Sequence, residues 1–207
     1  MPQLELRTGT LLLDGPVGAM ELRIEERRPV DASDRPHVSL IQALAKGDKL
    51  DLVVQKSTEL GVGRIIPVTT ERVVQRLDPG ELQSLSKRTR WQKIATEAAR
   101  QSGRIDIPEV EGVTSLQTAL TASAKEALKL ILWEGARQTS LRSVLPAAPP
   151  QQIVIAVGPE GGFTTDEVEA ARAAGFVAAG LGPRVLRTET AALATLAILG
   201  YVLGDLG

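Results

Sequence analysis

Two loops in the C-terminal third of the chain concentrate residues able to hold a nucleotide-sized ligand. The first follows the apolar run Ile153-Val154-Ile155-Ala156-Val157 and reads Gly158-Pro159-Glu160-Gly161-Gly162. Its glycines let backbone amides come close to a ligand, and Pro159 restricts the turn. A crevice beyond the C-terminal ends of parallel strands is a frequent ligand site, although a plain strand-to-helix turn can use the same residues. The loop has neither the Lys-Ser/Thr ending of a P-loop nor the spaced glycines of a dinucleotide fingerprint. The second loop is Leu181-Gly182-Pro183-Arg184-Val185-Leu186-Arg187-Thr188-Glu189-Thr190-Ala191, ahead of an apolar helical stretch. Arg184 or Arg187 can attract phosphate, Glu189 can orient an arginine, and Thr188 suits a helix cap. A cap with a local salt bridge is the purely structural alternative. Two glycine-containing loops after neighbouring strands favour one shared pocket.

A third cluster runs from Glu71 to Arg104. Its eight basic residues (Arg72, Arg76, Lys87, Arg88, Arg90, Lys93, Arg100 and Arg104) face four acids, Glu71, Asp78, Glu81 and Glu97. Lys87, Arg90 and Lys93 recur every three residues and can share one side of a helix, where they can meet phosphates without reading bases. A solvated helix face is the equal alternative. Trp91, followed by Ile94, Ala95 and Ala98, reads as a core anchor more than a stacking platform. Trp133, beside Glu134-Gly135, can wall a pocket or cover the core.

Composition narrows the chemistry. The 207 residues include no cysteine and a single histidine, His37. Thiolate catalysis, disulfides and Cys- or His-clustered metal sites are therefore excluded, and no metal is expected. With 24 Lys and Arg against 25 Asp and Glu, the chain is no polybasic binder, so any nucleic-acid surface must be local. No secretory signal is evident, and the apolar stretch Ala191–Leu203 falls short of the ~20 residues of a membrane span. A cytoplasmic location is expected.

The elements that must position these residues read as α/β. Strands are predicted at 38–44, 64–68, 127–133, 153–157 and 176–179. Helices are predicted from 47 to about 60, over 81–102, over 165–174 with Thr164 or Thr165 as cap, and over 188–203. Residues 1–33 alternate in short β-like segments around Asp14-Gly15-Pro16, and 34–207 form the main domain. Ala147–Pro150 reads as a connector.

The ordered segments Lys46-Gly47-Asp48-Lys49, VVQKSTELGV at 53–62, TERV at 70–73, IATEAARQSGR at 94–104, VGPEGGFTTDEV at 157–168 and LGPRVLRTETAAL at 181–193 resemble the bacterial 16S rRNA (uracil-N3)-methyltransferases, members of the SPOUT superfamily. The resemblance implies an S-adenosylmethionine pocket in a C-terminal deep trefoil knot, a homodimer with active sites near its interface, and 16S rRNA in the small ribosomal subunit as partner. It also implies that residues 1–33 are a partial, PUA-like β-rich segment. Where the family carries Ala-Cys in the long helix, this chain has Ala98-Ala99, which argues against an essential thiol. The cofactor residues implied are Leu132, Trp133, Glu134, Gly158, Pro159, Glu160, Gly161, Gly162, Leu181, Gly182, Arg184, Val185, Leu186 and Thr190. Arg72 and Arg187 are expected to act on the uracil with Glu189 as orienter or base, and Arg72, Lys87, Arg90, Lys93 and Arg104 to contact RNA. The alternatives are a related enzyme acting on another base or a ribose 2'-OH, and a catalytically weak rRNA-binding or assembly protein.

Overall fold

Alternation along the strands decides the layering. The computed structural model describes residues 36–73, 85–124, 127–146 and 150–206, all within one compact unit, Arg35–Gly207. The β-rich segment expected at 1–33 lies outside the described residues, as do Arg76, Asp78, Glu81, Leu82 and 147–149 of the connector. The described elements are β1 (His37–Ala43), α1 (Lys49–Glu59), β2 (Arg64–Thr69), α2 (Leu85–Gln101), β3 (Glu109–Val110), β4 (Thr114–Ser115) and α3 (Leu116–Ala122). After them come β5 (Leu128–Leu132), α4 (Leu141–Val144), β6 (Gln152–Val157), α5 (Thr165–Ala173), β7 (Val177–Ala179) and α6 (Thr188–Val202). The strands pair in the order β3-β2-β1-β6-β5-β7, with β4 also on β2, and every pairing is parallel.

Side chains alternate across a strand, so Val38 and Leu40 of β1 join Ile153, Ile155 and Val157 of β6 in one core cluster. Ile41 and Ala43 join Val154 and Ala156 in the other. The first cluster is closed by Leu50, Val53 and Val54 of α1, Trp91 and Ala95 of α2, and Ala192, Leu196 and Leu199 of α6. The second is closed by Leu116 and Leu120 of α3 and Val168 and Ala171 of α5. Burial on both faces is why these strands read as near-continuous apolar runs.

The local signals are met. Gly61 ends the first helical stretch at φ +87°, a region that side chains rarely adopt. Trp91 is a core anchor: it is buried, and its indole nitrogen donates to Asp51 Oδ1 at 3.0 Å, tying α2 to α1. In α6, Leu196 and Leu199 are buried while Ile198, Tyr201 and Val202 are exposed. Ile198 thus lies outside the same-chain core. No described helix is long and apolar enough to cross a membrane.

Thr164 caps α5 in a reciprocal box: its hydroxyl accepts from Glu167 N, and the Glu167 carboxylate accepts from Thr164 N. Loss of such a cap costs about 1 kcal/mol. Thr164→Ala is expected to lower urea-unfolding stability by about that amount with an unchanged m-value; no loss would show that the box does not hold this helix.

Candidate active site

Because every strand is parallel, the loops that follow β1, β2, β5, β6 and β7 leave the sheet at one edge. Register makes them level: Gln42 stands beside Val157, Val157 beside Leu132, and Leu132 beside Ala179. This brings together the predicted cofactor segments after β5, β6 and β7 and the Arg72 turn after β2.

The Gly158–Gly162 turn is held from several sides. From β1, the backbone N–H of Lys46 and the ammonium of Lys49 both donate to Glu160 Oε1, at 3.1 and 2.7 Å. From β2, Arg72 Nη1 donates to Gly161 O at 3.1 Å and reaches Phe163 O at 3.5 Å. One residue earlier, Glu71 N donates to the capping carboxylate of Glu167 at 2.8 Å. From α6, the Thr188 hydroxyl donates to Gly158 O at 2.6 Å. Gly162 takes φ +68°, and a Cβ there would stand 2.7 Å from Glu134 Oε1. A Cβ on Gly161 would stand 3.2 Å from Arg72 Cβ. The positive φ favours glycine at 162, and little room remains beside Arg72 for a side chain at 161.

The second loop differs from its sequence reading at two points. Thr188 is not the cap of α6: Arg187 takes the N-cap position without a side-chain bond, and Thr188 is buried, turned inward to Gly158. Its hydroxyl also accepts from Gln42 Nε2 at 2.9 Å. Nor does Glu189 lock an arginine, since no ion pair joins it to Arg184 or Arg187 among the described residues; Glu189 Oε2 is buried without a partner. Arg184, Val185, Arg187 and Thr190 are exposed, with Leu181 and Leu186 half-buried. Among the described residues, the backbone N–H groups of Gly182 and 184–187 donate to no acceptor in the chain. Apolar side chains beside open backbone donors suit a flat, hydrogen-bonding ligand.

Comparison with known proteins identifies the architecture. An RNA methyltransferase domain family matches residues 33–200. The chain belongs to this family. A ribosomal RNA small subunit methyltransferase E of Bacillus subtilis is 40% identical over 169 residues, covering 79% of this chain and 65% of that protein. Among solved structures, a ribosomal RNA small subunit methyltransferase E from Neisseria gonorrhoeae bound to S-adenosyl methionine is 39% identical with a TM-score of 0.72, covering 81% of this chain and 66% of its own. A methyltransferase from Legionella pneumophila in complex with the same cofactor is 38% identical with a TM-score of 0.75, covering 84% and 69%. The chain thus spans about two thirds of the length of these relatives.

Within this RNA methyltransferase domain the remaining predicted residues divide. Leu132 is buried at the end of β5. The Trp133 indole packs against the second core cluster, with the Arg172 guanidinium over it at 6.0 Å, so its ring covers the core. Glu134 is exposed. Of the basic residues, Lys93 is exposed and Lys87 half-buried, whereas Arg90 pairs with Asp48 and Asp51. Arg104 turns inward: Nη1 donates to Thr58 O at 2.6 Å and Val62 O at 2.8 Å, clamping the end of α1, and its side chain is only 13% exposed. Gln42, unremarked in the sequence, is fully buried at the site edge. Its signal was a lone amide within an apolar strand.

The Glu160 carboxyl has a displaced pKa. Burial alone raises it, but the Lys49 hydrogen bond, the backbone N–H groups of Glu160 and Lys46, and the Lys49 charge outweigh burial and hold it below its usual 4.5. A depressed carboxyl contributes stability above the unfolded-state pKa and loses it as pH falls through the folded one. The stability difference between wild type and Glu160→Gln is expected to be constant above about pH 5 and to shrink below 4.5. Urea unfolding across pH 3–7 checks this; a difference that grows on acidification would contradict it.

Proposed function

We propose that this protein is an S-adenosylmethionine-dependent methyltransferase acting on uracil N3 of one uridine in 16S rRNA, in the cytoplasm and on the small ribosomal subunit. The observation that carries the reading is the single sheet edge where the Gly158–Gly162 and Leu181–Thr190 loops meet, in a chain of the RNA methyltransferase domain family. Its support includes the cofactor bound by the Neisseria and Legionella relatives.

The residues fit the cofactor. The open N–H groups of Gly182 and 184–187 and the carbonyls of the glycine turn suit adenine and ribose, with Val185, Leu186 and Leu181 around the ring. When bound, S-adenosylmethionine supplies an electrophilic methyl on sulfonium sulfur. The chain must orient the uracil and manage the N3 proton, which leaves as the new N–C bond forms. Arg187, exposed and without an ion pair among the described residues, is placed to stabilise negative charge on a uracil oxygen. Glu189 Oε2, buried without a partner, is the proposed proton acceptor. Among the described residues Arg72 is held through Nη1 alone, by Gly161 O and Phe163 O, which leaves the rest of its guanidinium to face substrate.

A deep trefoil knot is part of the proposal. Its support is the path of the chain: β7 ends at the sheet margin, yet α6 returns to pack on α1 and β6. A homodimer is proposed too, supported by the exposed Ile198, Tyr201 and Val202 of α6 with Leu206 beyond it, an apolar surface that a two-fold contact would cover.

Three outcomes test the reading. Incubated with S-adenosylmethionine and small subunits, the protein is expected to yield N3-methyluridine by mass spectrometry of digested rRNA. A ribose-methylated product, another base, or binding without product would each replace it. Arg187→Ala is expected to lower single-turnover methylation about a hundredfold with cofactor affinity retained, and unchanged turnover would remove Arg187 from the chemistry. Lys93→Gln is expected to weaken rRNA binding and reduce the slope of log affinity against log salt by about 0.7–1; an unaltered slope would place this helix face away from RNA.

A further inference from the structure

The buried amide of Gln42 has a role that packing does not supply. Its strand neighbours Leu40, Ile41 and Ala43 are fully buried and apolar, and Gln42 shares their complete burial. Leucine would fill the same position without a polar group to satisfy. The amide orientation follows from its partners. Thr188 Oγ1 donates its one proton to Gly158 O at 2.6 Å, so it must accept from Gln42, and the donor is Nε2 at 2.9 Å. The second Nε2 proton goes to Ala43 O at 3.1 Å. Both protons of the amide are assigned, and Oε1 is left buried without a partner. An unsatisfied buried acceptor is destabilising, so stability alone selects against glutamine here.

The relay joins three separate parts of the chain. Gln42 lies at the end of β1, Thr188 in the first turn of α6, and Gly158 at the head of the glycine turn after β6. A directed chain of hydrogen bonds, Gln42 N–H to Thr188 hydroxyl to Gly158 carbonyl, therefore sets the spacing between the two ligand loops. It acts from beneath, inside the core, where it is shielded from water and its geometry is narrow.

We propose that Gln42 is a positioning residue that pre-organises the Gly158–Gly162 and Leu181–Thr190 loops through Thr188. Its consequence for binding rests on the S-adenosylmethionine reading of those loops; its consequence for the free protein does not. Holding loops in the bound geometry before the ligand arrives raises affinity by lowering the ordering cost.

The test compares wild type, Gln42→Leu, Thr188→Val, Thr188→Ser and the Gln42→Leu/Thr188→Val double variant. In the free protein, Gln42→Leu is expected to leave the melting temperature unchanged or raised. Hydrogen exchange should nonetheless accelerate at Gly162 N and Ala191 N, whose bonds to Pro159 O and Arg187 O close the two loops. By calorimetry with S-adenosylhomocysteine, Gln42→Leu and Thr188→Val should each weaken binding about tenfold. The double variant should lose little more than either alone, because one relay is broken once. Thr188→Ser, which keeps the hydroxyl, should bind like wild type. A lower melting temperature in step with weaker binding would reduce Gln42 to a packing residue and overturn the proposal. Unchanged loop exchange, or additive losses in the double variant, would overturn it as well. If wild type fails to bind S-adenosylhomocysteine while loop exchange still rises in Gln42→Leu, the relay stands and the ligand reading falls.

Discussion

The structure at this edge depends on the Gly158–Gly162 turn being held by groups from three other places in the chain: Lys46 and Lys49, Arg72, and Thr188. None of these ties is strong alone. The Lys49–Glu160 pair is partly exposed, at 32% and 26%, and such pairs contribute at most about 1 kcal/mol. The hydrogen bonds from Arg72, Lys46 and Thr188 add of the order of 1 kcal/mol each. Their value is geometric: they approach from different directions, so the turn has one position that satisfies all of them. The parallel sheet makes this convergence possible by delivering every loop to the same edge at the same level.

The same arrangement separates two kinds of arginine. Arg104 and Arg90 have carboxylate or carbonyl partners that fix helices α1 and α2 together. Arg187 and Arg184 lie on the solvent side of the second loop without ion pairs among the described residues. A cation already paired has less to offer a phosphate or a developing oxyanion, because binding must first break the existing contact. This is the physical ground for proposing chemistry at Arg187 and phosphate attraction at the exposed Lys93.

Much of this was legible in the residues. Apolar runs flanked by glycine located β1, β2, β5 and β6 within about two residues, because burial on both faces leaves a continuous pattern. The cap of α5 was readable to within one residue, Thr164 or Thr165, because a capping signal is local, and the structure selects Thr164. What periodicity could not show was partnership between distant residues. Thr188 carries a cap-like signature, yet it serves Gly158, thirty positions away in the chain. Arg104 reads as part of a basic cluster until the fold turns it onto Thr58 and Val62. Gln42 is a single residue whose meaning depends on a helix 146 positions later. The family resemblance supplied the chemistry, which neither composition nor spacing determines.

The most direct test of the account is a crystal structure of the protein with S-adenosylhomocysteine. The account expects the ligand at the C-terminal edge of the sheet, its adenine and ribose contacting Gly158–Gly162 and Leu181–Thr190. The ties from Glu160, Arg72 and Thr188 should be unbroken. A ligand lodged instead at the opposite edge, in the cleft of about 380 Å³ lined by His37, Arg64, Glu111 and Gln152, would contradict it, as would a glycine turn that releases those ties on binding.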